Sequence, residues 1–316
     1  MRPATASNIL GFSRGAAAAR SLSGLAEIFG VLPKGLMDRL PVAWAYYNMA
    51  PGRRNLRELF RIDRDLAAIA RVGEDLRRAH VGDAGTEGAE SPRLRELLRG
   101  RHPQELFGPE GLTPIPASDT PGVTYTPLPL HFLGVWDTVF HAKAEGFHES
   151  RLAWNVGTGC HALALHEVRK DFVPSLWTTR CAYQEIVQTW FVGAHSDIGG
   201  GNGNTGLSAI TFEWMVRRAS AHRYQRKSQA LGFDSSFVER HLGPQRADTP
   251  VSYPQFDFPF NVRDQKVRRI GGHFQFRSVW VDRRKGMSAP RYAIAADDLL
   301  VQADRASHDL PTENFP

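Results

Sequence analysis

Gly11-Phe12-Ser13-Arg14-Gly15 sets a serine between two glycines in the pattern G-x-S-x-G, near the start of the chain. In that pattern a tight strand-to-helix turn lifts the hydroxyl above a sheet, where it can attack a carbonyl carbon. A side chain at either glycine would collide with the neighbouring strand or helix, so Gly11 and Gly15 are both expected to be required. Such a nucleophile needs a base beside it, an acid to orient the base, and donors for the developing oxyanion. Asp137 ends the apolar run 131–136, and His195 ends the apolar run 185–193, so acid and base follow the serine in the order Ser, Asp, His. The backbone N–H of Arg14 is the oxyanion donor that the elbow itself supplies. Each residue also has a plainer reading. The elbow could be a glycine-rich helix start, Asp137 a helix cap, and His195 a satisfied histidine at a strand end. Asp197 is the rival acid, and His161, His166 and His308 are weaker candidates for the base.

These residues need elements to hold them. Residues 6–10 read as a short strand, and Arg14 to Leu32 as a helix whose Ala16 to Ala19 allow close packing on a sheet. Residues 33–129 form an insert before the next strand, a candidate cap or lid. Within it, 41–79 is helical, with Leu56, Leu59, Phe60, Ile62 and Leu66 as apolar positions. Residues 82–92 read as an exposed loop, 93–98 as a short helix, and the proline-rich 103–129 as extended chain. The runs 131–136 and 185–193 read as buried parallel strands. Residues 161–172 read as a helix, the segment from His195 through Gly201 as a turn into a loop, and 207–223 as an amphipathic helix. Signals are weak in 233–316, where 271–282 could be an edge strand or hairpin and 293–303 a short helix. The whole of 1–316 is read as a single α/β domain.

Composition narrows the function classes. With 39 Lys and Arg against 33 Asp and Glu, the net charge is +6. Arginine pairs such as Arg53-Arg54 and Arg268-Arg269 could meet phosphate head groups, although solvated faces explain them as well. No nucleic-acid module accompanies them, so no nucleic-acid partner is expected. The two cysteines, Cys160 and Cys181, lack metal-ligand spacing and are expected to be buried thiols. Gly199-Gly200-Gly201 lacks the Lys-Ser/Thr ending of a phosphate loop. No metal or organic cofactor is implied. No apolar run approaches the roughly 20 residues of a membrane span, and no export signal precedes the elbow. The expected site of synthesis is the cytoplasm.

The segments GFSRGAAAAR, FLGVWDTV, HALALHEVRKDFVPSLW, QTWFVGAHSDIGGG and GLSAITFEWM occur in this order. Together they resemble, over about residues 8–218, the α/β-hydrolase family that includes the type VI secretion phospholipase effectors. The resemblance implies an α/β-hydrolase-like, mostly parallel sheet with flanking helices. It also implies a serine hydrolase cleaving ester bonds, with phospholipid as substrate class, Ser13 as nucleophile, Asp137 as acid and His195 as base. Membrane-surface contact, export by a signal-less type VI route, and a secretion-apparatus or immunity partner go with it. Relatives begin with a strand ending in Asp-Gly-Thr, which is absent here, so the fold is expected to be N-terminally truncated and its elbow strand exposed at an edge. The second reading is therefore a catalytically silent remnant that persists as a folded or binding module.

Overall fold

The computed structural model describes residues 7–81, 107, 114–117, 120–139, 151–165, 167, 169, 172–177, 181, 183–191, 193–203 and 205–221. Four parallel strands make the central sheet: β1 (Asn8–Phe12), β4 (Leu130–Trp136), β5 (Val156–Ala164) and β6 (Glu185–Phe191), side by side in that order. A small antiparallel pair, β2 (Ile115–Pro116) and β3 (Thr124–Tyr125), lies in the insert. Every residue of β4 and β5 is buried, as befits the inner strands of a parallel sheet covered on both faces.

The two faces of β4 divide the core. Leu133 and Val135 pack with Ala16 and Ala19 of α1 (Arg14–Phe29). Phe132 and Trp136 pack with Cys160, Ala162 and Ala164 of β5 and with Trp214 and Met215 of the last described helix (Gly206–Ala221). Alternate residues thus serve opposite layers, giving the helix–sheet–helix sandwich that the α/β reading requires. Among the described residues β1 pairs only with β4 and so forms an edge of the sheet.

The insert opens with α2 (Leu40–Asn48), α3 (Leu56–Ile62) and α4 (Arg64–Val81). Leu66, Ile69, Val72 and Leu76 of α4 share a core with Leu25, Ile28 and Phe29 of α1. The insert is therefore packed on the helix that follows the serine. Asn55 caps α3 by accepting from the N–H of Arg57 at 2.9 Å, and Asp63 caps α4 by accepting from Leu66 at 3.0 Å.

Several expectations are corrected. β1 runs two residues later than expected, through Gly11 and Phe12, because its register with β4 continues to Phe12 opposite Trp136. Residues 161–164 belong to β5 rather than to a helix, since His161 to Ala164 pair in register with Gln188 to Phe191. Phe60 and Ile62 are 41% and 70% exposed, because α3 ends at Ile62 and turns only Leu59 fully inward. Residues 82–92 and 93–98, His166, His308 and 233–316 lie outside the described residues. No described helix is long and apolar enough to cross a membrane.

Candidate active site

Ser13 occupies the turn between β1 and α1 with φ 56° and ψ −120°. Among the described residues only Ser13 and Asp137 (φ 40°) combine a side chain with a positive φ. Each such residue costs about 1–3 kcal/mol, which the surroundings must offset. At Ser13 they do so through the backbone. Its N–H donates to the Trp136 carbonyl at 3.0 Å, and its carbonyl accepts from Ala17 at 3.1 Å. The turn is thereby stitched to both β4 and α1.

The two glycines of the elbow are not equivalent. A Cβ on Gly11 would press on the Gly15 carbonyl, 2.7 Å from its carbon, and lie 2.9 Å from the Ala16 Cα. A Cβ on Gly15 would meet nothing within 4 Å. The expectation for Gly15 is corrected: it is exposed in the first turn of α1, and its open side faces no strand.

Asp137 follows β4 and is fully buried. Its N–H donates to the Ala162 carbonyl at 2.7 Å, and its Oδ1 accepts from the Ala164 N–H at 3.0 Å. Strand β5 therefore fixes both the backbone and one carboxylate oxygen. The other oxygen, Oδ2, lies 2.7 Å from His195 Nδ1. His195 is not a strand end, as expected from sequence, but the first residue of α5 (His195–Gly199), reached after β6 ends at Phe191. Its Nε2 lies 2.8 Å from Ser13 Oγ. The two ring nitrogens of His195 face Asp137 and Ser13 respectively. Three residues spread over most of the described chain thus form one continuous hydrogen-bonded line. The Arg14 N–H opens α1 beside Ser13, among the first N–H groups that a helix cannot satisfy internally.

The rivals are elsewhere engaged. The Asp197 carboxylate accepts from the Ala194 N–H at 2.9 Å and from Asn202 Nδ2 at 2.7 Å, so it closes the turn around α5. His161, buried in β5, accepts the Thr138 N–H on Nε2 at 3.0 Å and so steadies the backbone just beyond Asp137. Among the described residues no three His, Cys, Asp or Glu side chains gather as a metal-ligand set.

Sequence reasoning missed the residues that surround the imidazole. Phe12 lies 4.6 Å from the His195 ring, tilted at 38°, and Phe172 meets it edge-on at 4.9 Å and 83°. Buried Glu167 accepts the His195 backbone N–H at 3.2 Å and pairs with Arg169 at 2.7 Å. Burial pushes the Glu167 carboxyl up. The side-chain and backbone hydrogen bonds from Arg169, its charge and the His195 N–H outweigh this and hold it below the usual carboxylate range.

The family model described as "T6SS, Phospholipase effector Tle1-like, catalytic domain" matches residues 6–218. No curated protein matches the chain significantly. A solved structure described as "Crystal structure of an uncharacterized protein from Pseudomonas aeruginosa" is similar at 17% identity, with a TM-score of 0.25. That comparison covers 75% of this chain and 41% of the other, so this chain spans less than half of that protein's length. The matched family span runs from the strand before Ser13 to the helix after His195, and on that match the chain belongs to the Tle1-like family of type VI secretion phospholipase effectors, as a catalytic domain.

Proposed function

We propose that the chain is a serine esterase that cleaves a carboxylic ester of a phospholipid. Ser13 Oγ attacks the ester carbonyl as its proton passes to His195 Nε2, and the carbonyl oxygen becomes an oxyanion that the Arg14 N–H stabilises. Collapse of the tetrahedral intermediate breaks the ester C–O bond, and His195 returns the proton to the leaving alcohol. Water, deprotonated by His195, then attacks the acyl carbon. The bond from that carbon to Ser13 Oγ breaks, the acid leaves, and His195 returns the proton to Ser13 Oγ. Asp137 holds the imidazole in the required tautomer and stabilises its protonated form. The observation that carries the reading is the line Ser13 Oγ, His195 Nε2, His195 Nδ1, Asp137 Oδ2, with steps of 2.8 and 2.7 Å, on a turn whose serine has a positive φ.

The insert is proposed as the lipid-contacting part. Met37, Leu40 and Trp44 are exposed at helical spacing, and Arg39, Arg57 and Arg61 accompany them in the same segment. Family membership extends the proposal to type VI delivery and a cognate immunity protein. The test is hydrolysis of a short-chain ester and of phospholipid vesicles by the purified chain. Turnover that is lost in Ser13→Ala supports the reading. Turnover that survives in Ser13→Ala refutes the nucleophile. No turnover by a cooperatively folding wild-type chain favours the silent binding module.

A further inference from the structure

We infer that Glu167, Arg169 and Phe172 form a clamp of positioning residues that sets the His195 imidazole for proton transfer. This rests on the serine-hydrolase reading and adds residues to it. The bond from Nδ1 to Asp137 fixes one end of the ring, and Nε2 reaches Ser13 at the other. A ring held at those two points can still rock about the line joining them. It can also shift together with the short helix α5, whose Asp197 fastens the Ala194 N–H within the same turn.

One segment stops both motions. Glu167, whose residue is 1% exposed, accepts the His195 N–H on Oε2 at 3.2 Å and so anchors the backbone. Arg169 locks that carboxylate in place: its backbone N–H and Nε donate to Oε1 at 2.8 and 2.9 Å, and Nη2 donates to Oε2 at 2.7 Å. A two-pronged guanidinium of this kind fixes direction as well as distance. The same guanidinium lies 3.5 Å from the centre of the Phe172 ring, and Phe172 meets the imidazole edge-on at 4.9 Å. Phe12 also packs on the imidazole, at 4.6 Å. The contacts form a closed circuit that starts at the His195 backbone, passes through Glu167, Arg169 and Phe172, and returns to the His195 ring. An ion pair serving only loop stability has no need to end on that ring.

The experiment compares the full-length wild type with Phe172→Leu, Arg169→Met, Glu167→Gln and Phe172→Tyr. A serine-directed fluorophosphonate counts competent sites, and a soluble short-chain ester gives kcat and KM. Misplacement of a catalytic group by about 1 Å costs on the order of 100-fold. Phe172→Leu and Arg169→Met are therefore expected to lower kcat per titrated site by about 10- to 100-fold, with KM within about twofold. Phe172→Tyr, which keeps the ring, restores the rate. Glu167→Gln, which keeps an acceptor for the His195 N–H but disrupts the fork, falls between. Unchanged kcat per titrated site in Phe172→Leu and Arg169→Met, with or without a lower Tm, overturns the clamp and leaves the serine-hydrolase reading intact. A wild-type chain that neither reacts with fluorophosphonate nor hydrolyses ester overturns both together, and does so before any variant is made.

Discussion

Replacing each elbow glycine by alanine has opposite consequences, although the sequence pattern treats the two alike. At Gly11 the new methyl would lie 2.7 Å from the Gly15 carbonyl carbon and 2.9 Å from the Ala16 Cα, and both obstacles are backbone. Ordinary van der Waals contact needs the first turn of α1 to retreat by the better part of an ångström. Overpacking of this kind costs about 1–3 kcal/mol. The retreat also carries Ser13 Oγ away from His195 Nε2, now 2.8 Å distant, and a shift of that size costs on the order of 100-fold in rate. At Gly15 the methyl meets nothing within 4 Å, and alanine in place of glycine favours a helix by up to about 1 kcal/mol. Urea unfolding with ester kinetics on the two variants reads both effects. Gly11→Ala is expected to be destabilised and slowed, while Gly15→Ala is as stable as wild type or more so and keeps its kcat. A fast Gly11→Ala, or a destabilised Gly15→Ala, would falsify the steric account of the elbow.

Three further outcomes follow from buried groups. Arg151 bonds both carboxylate oxygens of Glu27 on α1 at 2.7 and 2.9 Å, with side chains 11% and 1% exposed, so Arg151→Ala should cost about 3–5 kcal/mol in urea unfolding, and a loss under 1 kcal/mol would refute it. His80 stacks on Trp154 at 4.7 Å, and burial pushes its imidazole down to about 4. The unfolded chain, with histidine near 6.5, then binds the proton more readily than the folded one. This contribution to stability is complete above about pH 6.5 and is lost as pH falls toward 4, by up to about 3 kcal/mol. His80→Phe should flatten that part of the stability–pH curve, and an unchanged slope counts against it. Cys160 and Cys181 are buried, and burial pushes the Cys160 thiol up. A thiol reagent should label neither in the native protein and both in urea; fast native labelling would contradict their burial.

The parts of the fold that could be read in advance carry unambiguous local signals. The alanine run after Ser13 announced α1, and the short apolar run before Asp137 announced β4, because a strand buried on both faces is continuously apolar. Strand β5 was hidden by its own composition. Gly157 and Gly159 near its start have poor strand propensity, and His161-Ala162-Leu163-Ala164 suits a helix as well as a strand. Only pairing with β4 and β6, a nonlocal fact, decides it. Ser13, Asp137 and His195, which the structure brings together, are legible as residue types in order, yet the residues packed around His195 are not. Glu167, Arg169 and Phe172 follow neither helical nor strand periodicity, and their use depends on a residue 28 positions from Glu167. Phe60 and Ile62 misled for the converse reason: their helical spacing suggested burial, and α3 stops before a partner covers them.

The line from Ser13 to His195 joins residues 182 positions apart, with Asp137 and His195 themselves separated by 58. On the ribosome the serine is therefore made first and the histidine last. At synthesis rates of about 5–20 residues per second, roughly 10–40 s pass between them. Throughout that interval the nascent chain carries Ser13 without the imidazole that bonds it in the folded chain. Under the proposed serine-esterase function, translation itself delays the onset of ester cleavage until β6 and α5 have emerged and docked, and a chain whose translation stops before His195 is expected to be inactive.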